Sequence, residues 1–203
     1  MMRTMVAAGI MALTLAAPAA QADSAARLGE PAPAFTLIDS AGKARSLSEF
    51  RGKFVVLEWT NHDCPYVRKH YGAGNMQALQ KEYGAKGVTW LTLISSKPGT
   101  QGFVNDIEAD ELTRTRGAKP AAVLFDGRGE VGRAYGAKVT PHMYVINPKG
   151  TLVYMGGIDD KATANQADIP TARPHVRMAL DEAMAGKPVS VASTRAYGCT
   201  VKY

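Results

Sequence analysis

The sequence predicts an α/β fold with a mixed β-sheet, and three observations support this prediction. The 203 residues, 46% hydrophobic and 21% charged, are typical of one soluble globular domain. Segments rich in β-branched and aromatic residues alternate with segments of helical character, as in a sheet flanked by helices. The last two strand segments are joined by the turn 147–150, and this spacing favours an antiparallel hairpin.

Six segments have the composition of strands. Ala34–Ile38 alternates only weakly between apolar and polar residues, so we expect it at an edge of the sheet. Phe54–Trp59 is almost wholly apolar, which indicates a buried central strand. The predicted strands, in chain order, are Ala34–Ile38, Phe54–Trp59, Val88–Ile94, Ala121–Phe125, Met143–Ile146 and Leu152–Met155.

Five segments are predicted as helical. The longest begins at Cys64 or Pro65, because proline suits a first helical turn, and it runs to Tyr83. Gly72 and Gly74 weaken its middle and favour a kink. Its inner face is expected to carry Tyr66, His70, Met76, Leu79 and Tyr83. The other four segments are Ser46–Phe50, Val104–Arg116, Glu130–Tyr135 and Ala172–Ala185.

The N-terminus has the pattern of a secretory signal peptide over residues 1–22. Arg3 precedes an apolar stretch, and Ala20–Ala22 forms an A-x-A cleavage site. That stretch is too short for a membrane anchor, so we expect cleavage, a periplasmic protein and no membrane association afterwards. The mature chain divides into a flexible lead-in (23–33), one domain (34–185) and a C-terminal tail (186–203).

Charge and motifs exclude several function classes. The formal charge is +6, but the basic residues are scattered, so a nucleic-acid partner is not expected. Two cysteines cannot build a zinc finger or an iron–sulfur cluster within one chain. No phosphate-binding loop of the G-x-x-x-x-G-K type is present. The G-x-G-x-x-G at 127–132 lacks a complete βαβ unit, so no cofactor is expected.

Cys64 lies between the end of a predicted buried strand and the start of a predicted helix. The first amides of a helix are unpaired and carry partial positive charge, and both effects stabilise a thiolate. Arg68, one turn further on, adds to this field. The polar run 60–63 argues against deep burial, so a reactive thiol is favoured over a buried structural cysteine, the alternative for this residue type.

Several segments resemble the thioredoxin-fold superfamily, in its peroxiredoxin-like or redoxin branch. The segments are Leu28–Phe35, Leu47–Lys53, Asn61–Val67, Thr140–Ile146, Gly156–Asp160 and Gly198–Lys202. The resemblance implies a thioredoxin-like fold with a central mixed sheet flanked by helices. It also implies that Pro141 is a cis-proline packed on Cys64, and that Thr140 offers backbone groups to an incoming peptide or thiol.

Two departures from the pattern of this branch bear on the chemistry. Thioredoxins carry C-x-x-C, whereas the third residue after Cys64 is Val67, so no local dithiol exists. Peroxiredoxins carry P-x-x-x-T-x-x-C, whereas Leu57 and Asn61 stand at the proline and threonine positions. Thr60 is one residue away from the threonine position, which argues against efficient peroxide reduction.

The second cysteine, Cys199, follows Cys64 by 135 residues. It could resolve a sulfenic acid or mixed disulfide on Cys64, form a permanent disulfide with it, or pair between chains. A mobile tail suits the resolving role, because the two sulfurs must approach and separate. We therefore favour a redox-active pair.

The sequence thus predicts an exported thiol oxidoreductase that acts by thiol–disulfide exchange or slow peroxide reduction. Its partners would be a thiol or disulfide protein, or a peroxide, together with an external thiol reductant. Cys64 would be the nucleophile and Cys199 the resolving thiol. The supporting residues are Thr60, Asn61, Arg68, Thr140 and Pro141.

Two alternatives remain open. One is a copper-handling protein that uses His62, Cys64 and His142, since sulfur and imidazole suit copper. The two other histidines, His70 and His175, are assigned to helix surfaces and not to the copper site. The other is a non-catalytic binding module with a static disulfide.

Overall fold

A seven-stranded mixed sheet forms the centre of the protein in a computed structural model, which describes residues 25–203. The strand order is β2-β1-β5-β4-β3-β7-β8, and β6 and β9 form a separate pair. The strands are β1 (Thr36–Asp39), β2 (Ala44–Ser46), β3 (Val55–Trp59), β4 (Thr89–Ile94), β5 (Ala122–Phe125), β6 (Val139–Thr140), β7 (His142–Ile146), β8 (Leu152–Gly156) and β9 (Cys199–Thr200).

The sheet is mixed in the predicted way. Strands β3, β4 and β5 are parallel, whereas β7 runs antiparallel to β3 and forms a hairpin with β8. The helices are α1 (Pro65–Gly72), α2 (Asn75–Ala85), α3 (Asp106–Thr115), α4 (Glu130–Tyr135) and α5 (His175–Met184). Leu47–Phe50 and Gln166–Thr171 are 3₁₀ turns.

Two apolar layers enclose the sheet. Helices α1, α2 and α5 pack on one face, where Val67, Leu79 and Leu180 are buried. The other face is rich in aromatic rings, and Trp59 lies 5.1 Å from Tyr144, centroid to centroid. All five residues of β3 are buried, because this strand is covered on both faces.

The edge of the sheet differs from the prediction. β1 pairs with β5 on one side and with β2 on the other, so β2 is the outer strand. The three residues of β2 are Ala-Arg-Ser, which have no strand-like apolar alternation. Pairing with β1 alone defines this strand, and the edge position expected for Ala34–Ile38 is therefore wrong.

The long helix expected from Cys64 to Tyr83 is two helices. α1 ends at Gly72, and Gly74 precedes α2 in a left-handed conformation with φ 71°. The glycines weaken this segment, as predicted, and the weakening amounts to a complete break.

Both ends of the described part of the chain pack more closely than expected. Residues 25–33 run against the domain, with Ala26 and Ala32 donating backbone hydrogen bonds to Ala134 and Gly150. The C-terminal tail, residues 186–203, lies along the domain and is not a mobile arm, and we refer to it as the strap. Ala192 bonds to β8, and Val201 donates its N–H to Lys138 O at 3.0 Å.

The predicted signal peptide lies outside the described residues. Within residues 25–203, the helices all fall short of the length and apolar character that crossing a membrane requires.

Candidate functional site

The turn before Cys64 is held by Asn61. The Asn61 side-chain oxygen accepts the N–H of Asp63 at 2.9 Å, and Cys64 donates its N–H to Asn61 O at 3.1 Å. Asn61 also donates from Nδ2 to Gln101 O at 3.3 Å. These bonds end β3 and place Cys64 at the N-cap of α1, with Pro65 as its first helical residue. Cys64 is thus the N-cap residue of α1, although its sulfur accepts no hydrogen bond from the first amides of the helix.

Cys64 and Cys199 form a disulfide bond, with their Cα atoms 5.8 Å apart. The bond joins the start of α1 to the tail across 135 residues. Val67, where a C-x-x-C motif would place its second thiol, is a fully buried core residue. The tail thus supplies the second sulfur that the local sequence lacks.

The loop around Pro141 packs against this disulfide. The Thr140–Pro141 peptide is cis, and Thr140 O lies 3.2 Å from Cys64 Sγ. β6 pairs antiparallel with β9, with Thr140 opposite Cys199. The backbone edge at Thr140 that the resemblance assigns to an incoming peptide is therefore occupied by the chain's own tail.

Gly198 makes this close approach possible. Its φ of +140° disfavours any residue with a side chain, and a Cβ added there would overlap the carbonyl of Thr140. Only glycine lets the strand carrying Cys199 lie this close to the Pro141 loop.

The burial of Cys64 differs from the prediction. The polar run 60–63 suggested exposure, yet Cys64 is 0% exposed. The tail covers it from the outside, and Val67 and Met143 pack in the same apolar cluster beneath it. Cys199, in contrast, remains partly exposed.

Two supporting residues, within the described part of the chain, form no side-chain hydrogen bond with Cys64. Arg68 is exposed, and its side chain takes part in none of the ion pairs found within residues 25–203. Its observed link to Cys64 is a backbone hydrogen bond of 2.9 Å. Thr60 is buried, and its hydroxyl has no hydrogen-bond partner in the described part of the chain.

The structure does not bring the proposed copper ligands together. His142 stacks on Tyr144 on the aromatic face of the sheet, whereas the neighbouring Met143 belongs to the layer that contains Cys64. Successive residues of a strand face opposite ways, which separates His142 from the sulfur. Burial lowers the pKa of His142 to about 4. Residues 25–203 contain no group of three side chains suited to a metal ion.

A buried polar cluster below α1 was missed by the sequence analysis. Lys69 is 1% exposed, and its Nζ lies 3.4 Å from Asp159 Oδ2 and 2.7 Å from Lys161 O. His70 Nε2 lies 3.1 Å from Tyr197 Oη, which also donates to Asp159. We refer to Lys69, His70, Asp159 and Tyr197 as the tail-anchor cluster.

This cluster corrects the surface position assigned to His70. The residue is 0% exposed, and burial lowers its pKa to about 4, so its imidazole is neutral at pH 7. Its place on the inner face of the helix agrees with the predicted periodicity. Nothing in the helical pattern indicated that the neighbouring lysine is buried.

Glu58 is a second buried polar residue that the sequence analysis missed. It is 0% exposed, and its carboxyl group accepts hydrogen bonds from Tyr71 at 2.8 Å, Trp90 at 2.8 Å and Gln80 at 3.3 Å. Burial raises the pKa of this carboxyl group, although the three donors act in the opposite direction. A single acidic residue inside the apolar run 54–59 was the available signal.

With the geometry described, comparison with known proteins identifies the family. A model of the AhpC/TSA family matches residues 28–155, which is more than half of the chain. The chain belongs to the AhpC/TSA family, and its fold is thioredoxin-like.

The relatives that carry names share about a quarter of their aligned residues with this chain. The thioredoxin-like protein YneN of Bacillus subtilis is 26% identical over 144 residues, covering 70% of this chain and 79% of YneN. The thiol-disulfide oxidoreductase ResA of Bacillus thuringiensis is 27% identical over 126 residues, covering 62% of this chain and 67% of ResA. An uncharacterised conserved protein of Geobacillus kaustophilus is similar in structure, with a TM-score of 0.74 and 25% identity, covering 87% of this chain and 92% of that one.

Proposed function

We propose that this protein is a thiol–disulfide oxidoreductase whose Cys64–Cys199 pair alternates between disulfide and dithiol. The observation that carries the proposal is the disulfide itself, which joins a helix N-terminus to a strand beside the Pro141 loop. The similarity to a protein named as a thiol-disulfide oxidoreductase supports the same reaction class.

The surroundings of Cys64 suit a sulfur that must become a thiolate. In the reduced protein, the first amides of α1 and the N–H of Cys199, 3.4 Å from Cys64 Sγ, stabilise negative charge there. Thr140 O is the acceptor for the proton of the neutral thiol. In the reduced protein such a thiolate attacks the disulfide of a partner protein, which leaves as a dithiol while Cys64 and Cys199 become the disulfide. In the oxidised protein an external thiol reductant attacks that disulfide and restores the dithiol.

Disulfide exchange is favoured over peroxide reduction. At the position of the peroxide-orienting threonine, Asn61 uses its side chain to hold the turn before Cys64. Thr60 supplies a hydroxyl one residue away.

We also propose that the protein works outside the cytoplasm, in the periplasm. The pattern of a signal peptide over residues 1–22 supports this, and an oxidising compartment is where such a pair persists as a disulfide.

Equilibration in glutathione redox buffers tests the proposal. Oxidised and reduced fractions are measured by alkylation and mass spectrometry, with Cys64→Ser and Cys199→Ser as controls that cannot form the bond. We expect a reversible two-electron transition in the folded protein. A bond that opens only after denaturation would show a static disulfide and a non-catalytic module.

A further inference from the structure

We propose that Cys199, and not Cys64, is the sulfur that an incoming thiolate attacks, with Cys64 as the leaving thiolate. This inference rests on the proposed function and deepens it. It reverses the roles expected from the sequence, in which Cys64 meets the partner and Cys199 resolves.

Exposure is the first argument. Attack on a disulfide requires the thiolate to reach the attacked sulfur along the axis of the bond. No atom of Cys64 is open to solvent, and Val67 and Met143 belong to the apolar cluster around it. Cys199 is the partly exposed member of the pair. Cys199 is therefore the residue of the pair that solvent reaches in the oxidised protein, and we infer that the thiolate approaches there.

The strap is the second argument, because attack on Cys64 would require the tail to lift. Upstream of Cys199, the Tyr197 hydroxyl is held in the tail-anchor cluster and its ring packs edge-on against Tyr66, 5.8 Å away. Downstream, Val201 bonds to Lys138, and the Tyr203 hydroxyl donates to Ala137 O. Both sides are fastened, so lifting the tail would expose buried polar groups of the cluster.

The third argument concerns the leaving group. A thiol of lower pKa leaves faster in exchange, and Cys64 lies at a helix N-terminus, where partial positive charge favours the thiolate.

The reaction then proceeds in two steps. The thiolate of an external dithiol forms a bond to Cys199 Sγ, the Cys64–Cys199 bond breaks, and its electron pair remains on Cys64 Sγ. The second thiolate of the reductant then attacks the reductant's own sulfur and releases Cys199. The reductant ends as a disulfide, and the protein gains two electrons and two protons.

The site of the first adduct tests this order directly. Oxidised full-length protein is mixed with excess glutathione for short times, quenched with acid and alkylated with N-ethylmaleimide at low pH. Peptide mass mapping then locates both labels. We expect glutathione on Cys199 and maleimide on Cys64, with at least a tenfold excess over the opposite arrangement.

Two controls define the alternatives. The same protein unfolded in guanidinium chloride should lose the preference, which shows that both adducts are detectable. Tyr197→Ala, which removes the upstream anchor, should raise the share of adduct on Cys64. Glutathione mainly on Cys64, or equally on both cysteines of the folded protein, would overturn the inference.

The result is separable from that of the proposed function. Mapping requires only that some thiol concentration opens the bond, whereas the proposed function requires opening within the range of biological redox buffers. A bond too stable for such buffers, yet attacked at Cys199 by concentrated thiol, would refute the function and leave the order of attack intact.

Discussion

Glu58 shows how a single buried residue gives the protein a pH dependence. Its pKa is raised by burial, so the folded state holds the carboxyl group neutral above the pH at which the unfolded chain ionises. The contribution of this group to stability is present below about pH 4.5. It is lost as pH rises through the raised value.

Glu58→Gln should therefore become more stable relative to the wild type as pH increases from 4 to 7. A glutamine can accept from Trp90 and Gln80 and donate to the Tyr71 hydroxyl, so the hydrogen bonds survive. A tenfold difference in the ionisation constant of Glu58 between the folded and unfolded states corresponds to about 1.4 kcal/mol. Chemical denaturation at several pH values measures the difference.

Glu182→Gln serves as the control for this prediction, because the hydrogen bonds from Ser190 lower the pKa of the exposed Glu182 carboxyl group. Glu182→Gln should therefore lose more free energy of unfolding, relative to the wild type, as pH rises. A Glu58→Gln difference that stays constant with pH would show that this carboxyl group ionises alike in the folded and unfolded states.

A second prediction at the residue scale concerns Gly198, where steric overlap, and not charge, determines the effect of a substitution. In Gly198→Ala, the new Cβ meets the Thr140 carbonyl, so β9 must move away from β6. Gly186→Ala is the matched control, since it also has a positive φ, 72°, but no atom within 4 Å of the added Cβ. We expect Gly198→Ala to lower the free energy of unfolding by about 2 kcal/mol more than the control. Equal losses would mean that backbone strain alone matters at Gly198.

At the scale of elements, the strap couples the tail-anchor cluster to the disulfide. Tyr197 is two residues from Cys199, and its hydroxyl contacts His70 and Asp159. In the interior, Lys69 Nζ has Asp159 and a backbone oxygen as its partners. Holding Tyr197 in place thus also holds the second sulfur over the first.

Tyr197→Phe should destabilise the protein by about 1–3 kcal/mol, since it leaves buried polar groups without a partner. The aromatic packing on Tyr66 remains. We also expect the disulfide to reduce more readily, by up to about 60 mV if the whole loss falls on the oxidised form. Redox titration and chemical denaturation measure the two effects.

Tyr203→Phe is the control for the tail as a whole. It removes a hydroxyl that donates to a backbone carbonyl further from the disulfide. If it changes the potential as much as Tyr197→Phe, the anchoring is diffuse and the tail-anchor cluster has no special part in it.

Element prediction from sequence succeeded where strands or helices are long enough to show a period. β3, β4 and the β7–β8 hairpin carry largely apolar runs and agree with the predicted segments. β2, β6 and β9 have two or three residues each, too few for any pattern. Pairing with partners distant in the chain determines these short strands.

The same limit applies to the site. The position of Cys64 before a helix followed from local sequence, because the residues that create it are adjacent. Its burial did not, since the covering segment lies 135 residues away. Lys69 looked like any surface lysine, and only the meeting of α1 with Asp159 and Tyr197 makes its burial possible.

For the whole molecule, the disulfide closes a loop that spans most of the domain. In the chain-entropy model, a bond across 135 residues stabilises the folded state by about 5 kcal/mol. We expect the reduced protein to unfold at a correspondingly lower denaturant concentration. Cys199→Ser should match the reduced wild type and gain nothing from oxidation. Equal stability of the oxidised and reduced forms would contradict this prediction.

The tail position of Cys199 also has a consequence for how the protein is made. Synthesis proceeds from the N-terminus, so Cys64 emerges long before its partner. During that interval its thiol has neither a covering strand nor an intramolecular disulfide. A nascent chain at this stage presents a single free cysteine to every oxidant it meets, and it becomes a competent dithiol only when the final segment arrives.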